Sequence, residues 1–83
     1  MLEKSLIEYV NAELARAKQH MAEDKTSKGN KEFAEKCFQR AFGAVEFFNR
    51  AIWQTNPEAM TRTIDRWEDE WRPAFEQTIW GRA

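Results

Sequence analysis

In the middle of this chain, Ala34, Phe38, Ala41, Val45, Phe48 and Ile52 recur four, three, four, three and four residues apart. A β-strand alternates its faces at every residue and cannot bring these side chains together. An α-helix places all six along one seam, at the spacing by which coiled-coil-like helices pack. Phe33, Cys37, Ala44 and Ala51 widen the apolar surface on one side of the seam, and Phe42 and Trp53 on the other. The apolar arc then covers roughly two-thirds of the helix circumference, at 3.6 residues per turn. So broad a face has to be covered from two sides. The expectation is a central helix over about residues 30–54, with the other helices packed against it.

Both flanks of that helix read as helices as well. Ile7, Val10, Leu14, Ala17 and Met21 form one stripe, widened by Leu6, and predict a helix over about residues 2–22. The polar stretch AEDKTSKGN that follows reads as a turn. After the central helix, Thr55-Asn56-Pro57-Glu58 announces a new start. Either Thr55 and Glu58 form a capping box, or Asn56 caps and Pro57 takes the first helical position. Met60, Ile64, Trp67, Trp71 and Phe75 then share a face, which predicts a helix over about residues 57–80. Pro73 interrupts it and predicts a kink, and Gly81 suits its C-terminal cap. Three helices of similar length joined by short turns imply an all-α, antiparallel three-helix bundle forming one domain over residues 1–83, and a two-chain variant with helices paired across a dimer fits the sequence equally well.

A domain of 83 residues is short of interior, and small domains usually lean on disulfides, metals or self-association. The single cysteine, Cys37, excludes an internal disulfide, and the sequence shows no Cys/His cluster for a structural metal. Self-association, as a two-fold dimer, is therefore expected. The aromatic content points the same way. Four tryptophans and six phenylalanines are too many to bury easily in so small a fold. Trp67, Trp71 and Phe75 lie in the stripe of the last helix and are expected mainly in the core. Phe47 and Trp53 sit at the margins of the central helix, and Trp80 falls off the last stripe. These three are the candidate interface residues, since Trp and Phe concentrate at interface centres.

Other site chemistry finds little support. His20 is the only histidine and has no nucleophile or Glu-x-x-His motif beside it. It reads as a surface residue near a helix end, where its charge suits the dipole. Cys37, beside the seam, reads as buried and inert. There is no Gly-rich phosphate loop, so no enzyme activity, metal or cofactor is expected. Lys25, Lys28, Lys31, Lys36 and Arg40 form a basic stretch, but Glu32 and Glu35 interrupt it and the net charge is -1. Nucleic acid is not the expected partner. Residues 16–40 carry seven basic against four acidic side chains and residues 54–80 three against six, an asymmetry that reads as two solvated faces or, more specifically, as opposite signs that steer pairing of the two segments within a chain or between chains.

The N-terminal residues lack the pattern of a signal peptide, and no apolar run approaches a membrane span, so a cytoplasmic protein is expected. Ala44, Phe48, Ala51 and the nearby Pro57 resemble the second helix of a tetratricopeptide repeat. That unit needs a preceding short helix and several stacked copies. The seam instead runs unbroken from Ala34 to Ile52 and has no second copy, so no family is assigned. The function expected is a non-enzymatic interaction or self-assembly module. The alternatives are a small regulatory protein that docks a different protein through an aromatic helix face, and a carrier of a small apolar ligand.

Overall fold

The computed structural model describes residues 2–23 and 28–81. Helix α1 spans Glu3–Glu23 and α2 spans Lys28–Ile52. Then α3 (Pro57–Arg66), a π turn (Trp67–Trp71) and α4 (Arg72–Trp80) follow without a break and together make the third helix of the bundle. No strand occurs among the described residues. The fold is the expected all-α three-helix arrangement. Within the predicted first turn, residues 24–27 lie outside the described residues, Lys25 and Ser27 with them.

Inter-helix contacts fix the directions. Glu13 meets Arg40 and His20 meets Phe33, so α1 and α2 run antiparallel. Glu3 meets Arg62 and Asn11 meets Trp71, so the third helix runs parallel to α1. Phe38 of α2 touches Trp67, Phe75 and Trp80, which ties α2 to the third helix. The central helix thus packs against both of its neighbours.

At the second turn the structure decides between two caps. The Asn56 side chain accepts from the Ala59 N–H at 3.1 Å, and Pro57 occupies the first helical turn. Thr55 instead turns back, its hydroxyl donating to the Ile52 carbonyl at 3.4 Å. Gly81 closes the third helix in the left-handed conformation, with φ of 67°.

The core line of α1 differs from the expected stripe. Leu6, Val10, Glu13, Ala17 and Met21 are buried, while Ile7 and Leu14 pack half-buried at its edge. An acid therefore occupies a core position, made tolerable by two arginines. In the third helix the buried line is Ala59, Thr63, Trp67, Trp71, Phe75 and Ile79. Met60 and Ile64, expected in line with Trp67, are rotated one position away towards α2, and Ile64 is 43% exposed.

The π turn explains this line. Residues spaced by four drift about 40° per step around an α-helix of 3.6 residues per turn. Over the five steps from Ala59 to Ile79 the line would run to the far side. One wider turn, in which the Arg72 N–H donates to the Trp67 carbonyl, takes back part of that drift. It also falls immediately before Pro73. That proline has no N–H to donate and would crowd the carbonyl one turn back. The interruption expected at Pro73 thus takes the form of a π turn placed just before it.

Candidate interaction surface

Two polar arrangements hold the bundle and position its rings. Trp71 is buried and its indole Nε1–H donates to Asn11 Oδ1 at 3.0 Å, so the large ring is inside without an orphaned donor. Glu13 is 1% exposed. Arg40 donates from Nε to its Oε2 at 2.9 Å, and Arg16 pairs with Oε1. Arg40 also reaches Cys37 Sγ from Nη2 at 3.4 Å. The thiol is buried, and burial, with the Glu13 carboxylate next to it, pushes its pKa above the usual thiol range. A protonated, enclosed thiol of this kind is a poor nucleophile. Glu13 escaped sequence reasoning because an acid scores against a core. The signal present was its place in line with Leu6, Val10 and Ala17.

The aromatic residues divide by exposure. Trp67, Trp71 and Phe75 are buried, with Phe38 edge-on to Phe75 at 5.4 Å and Phe42 edge-on to Trp67 at 5.3 Å. Trp80 is half-buried, edge-on to Phe38 at 5.7 Å. Trp53, 56% exposed, follows the last residue of α2 and lies beside Asn49, Arg50 and Met60. Phe47, 65% exposed, stands on the outer side of α2 with Gly43, Glu46 and Arg50. These three rings do not form one patch. Trp80 packs on Phe38, which lies about 22 Å along the α2 axis from Trp53, at 1.5 Å per residue.

A feature the sequence did not mark lies between α2 and the third helix. Phe42, Val45 and Asn49 form one wall of an apolar groove, and Ile64 and Trp67 the other. Its volume is about 330 Å³. It continues past Asn49 to Trp53 and Met60. The Asn49 Oδ1 atom is enclosed and has no donor among the described residues. Phe33, on the opposite margin of α2, is 54% exposed, stacks on His20 at 5.1 Å and lies 5.7 Å from the Lys36 ammonium. His20 is accordingly half-buried against a ring.

Among the described residues, the ion pairs that cross between helices, Glu13–Arg40 and Glu3–Arg62, do not join the basic residues 16–40 to the acidic residues 54–80. Among the described residues, no group of three or more His, Cys, Asp and Glu side chains is placed to hold a metal ion, and no helix is long and apolar enough to cross a membrane. The fold and its surface define a three-helix bundle with exposed aromatic rings on its central helix. No protein-family model, curated protein or solved structure matches the chain.

Proposed function

We propose that this protein is a non-enzymatic self-assembly module that works in the cytoplasm as a two-fold dimer. The observation that carries the reading is the exposure of Phe33, Phe47 and Trp53, all on α2 or at its end. Single apolar side chains are ordinary on a surface, but Phe33 and Phe47 share one margin of α2, and two large exposed rings on one face of a small domain are a mark of partner contact. The protonated, buried Cys37 thiol suits a reducing compartment and offers no chemistry that would argue for catalysis. Sedimentation equilibrium at micromolar concentration tests the reading. A mass near twice 9.9 kDa is expected, and a stable 9.9 kDa monomer would end it.

One observation favours a second reading, in which a helix of a different protein docks in the groove between α2 and the third helix. The apolar walls at Phe42, Val45, Ile64 and Trp67 leave between them a groove that the apolar face of such a helix would cover. On this reading the chain stays monomeric, and Trp53 fluorescence shifts only when the partner is added. A small apolar ligand fits less well, because the groove is open along Phe42 and Ile64, both exposed.

A further inference from the structure

Opposite its core seam, α2 carries a second line at the same spacing. Glu32, Lys36, Gln39, Gly43, Glu46 and Arg50 recur four, three, four, three and four apart, and all six are exposed. The line reads acid, base, amide, glycine, acid, base. Reversed and laid against itself, it matches. Glu32 falls opposite Arg50, Lys36 opposite Glu46, and Gln39 opposite Gly43, and symmetry repeats each pair. A parallel, in-register pairing would set every charge against its own kind. A slip of one heptad in either direction leaves no opposite-charge pair along the line. The charges therefore specify both orientation and register.

The margins of the line agree with that register. Phe33 and Phe47 lie on one edge, each one residue after a member of the line, and the antiparallel register sets Phe33 of one copy against Phe47 of the other. Phe42 lies on the opposite edge and meets its own counterpart beside the two-fold axis. Arg40 shares the edge of Phe33 and Phe47 and would face its counterpart near the axis. Its guanidinium, about half exposed, is held to Glu13, with Nε 2.9 Å from the carboxylate.

Gly43 supplies the closest approach. A glycine inside a helix costs about 1 kcal/mol relative to alanine. Nothing among the described residues requires it, since a Cβ added there would meet none of their atoms within 4 Å beyond its own helix backbone. A second backbone crossing at that point would require it, with Gln39 of the second copy seated over the bare turn.

We propose that two copies of this chain pair antiparallel through the outer face of α2, along the line from Glu32 to Arg50. The proposal rests on the self-assembly reading and supplies its interface. The test is the dissociation constant by sedimentation equilibrium, with circular dichroism on each variant. Gly43→Gln places a better helix former on an open face, so the monomer keeps its fold while pairing weakens at least tenfold. Lys36→Glu and Glu46→Lys each turn two attractions into two repulsions and weaken pairing roughly tenfold. The double variant restores opposite signs and returns affinity to within about threefold of the original. Two results overturn the pairing while leaving self-assembly intact. In one, a dimer is insensitive to all three single changes but is dissociated by Ile64→Asp in the groove. In the other, both single reversals weaken the dimer and the double variant fails to rescue it. A monomeric wild-type chain removes both the pairing and the reading beneath it.

Discussion

The Glu13 carboxylate is enclosed, yet both guanidinium groups that hold it remain about half exposed on Arg16 and Arg40. That asymmetry decides which substitution hurts. Removing the acid leaves two cations that can return to water, whereas removing the cations leaves a buried anion with no compensation. Glu13→Leu, an apolar side chain in a core line, should hold stability within about 1 kcal/mol of the original. The Arg16→Ala/Arg40→Ala double variant should lose about 3 kcal/mol or more in urea unfolding. Equal losses in the two variants would show the acid to be a net stabiliser. Cys37 gives a prediction with a defined sign. Burial raises its folded pKa, and the neighbouring Glu13 acts in the same direction. The unfolded thiol ionises first as pH passes about 8.5. The stability this thiol contributes is therefore complete below that pH and is lost as pH rises towards the folded value. The wild-type urea midpoint should fall more steeply from about pH 8 to about pH 10 than that of Cys37→Ala. Parallel curves would contradict the sign. Of these two residues, Cys37 was legible as buried because it flanks the seam. Glu13 was not, because its partner Arg40 lies on another helix and only tertiary packing brings them together.

The third helix shows how a local interruption and a global packing need coincide. Pro73 needs relief from the carbonyl one turn back, and Trp71, Phe75 and Ile79 need to stay in line with Trp67 and Thr63. The π turn serves both. Pro73→Ala removes only the first need. If the core holds the turn, the substitution should change stability by under about 1 kcal/mol, well short of the roughly 3 kcal/mol an interior proline ordinarily costs. A gain above about 2 kcal/mol in urea unfolding would assign the turn to the proline instead. The helices themselves were legible because their signals are dense. Six seam positions mark α2, and Asn56 with Pro57 marks the start of α3. The π turn was not, since Trp67, Trp71 and Phe75 fit an ordinary helix over so short a span. That ambiguity also misplaced Met60 and Ile64, which joined the predicted stripe but wall the groove and its continuation in the structure. The groove needs two helices side by side, and no single-helix pattern announces it.

At the scale of the whole molecule, the bundle is a rod of 44 × 22 × 16 Å, so each helix keeps an outer face. The exposed rings of α2 are then either a cost carried by the monomer or part of a larger core. Thermal unfolding separates these. When unfolding requires dissociation, mass action raises Tm with protein concentration, whereas a monomer unfolds at one temperature at every concentration. Raising the concentration a hundredfold adds about 2.7 kcal/mol per dimer. Shared between two chains of this size, that corresponds to a rise in Tm of roughly 5–10 °C. The Gly43→Gln variant sharpens the test because its two effects have opposite consequences. Replacing a helical glycine should raise Tm in dilute solution, where the chain is alone. Blocking the close approach should flatten the concentration dependence. The two melting curves should therefore cross, with the variant the more stable at low concentration and the wild type at high. A uniform upward shift of the variant would mean that Gly43 costs the fold its helix propensity without serving an approach by a second helix.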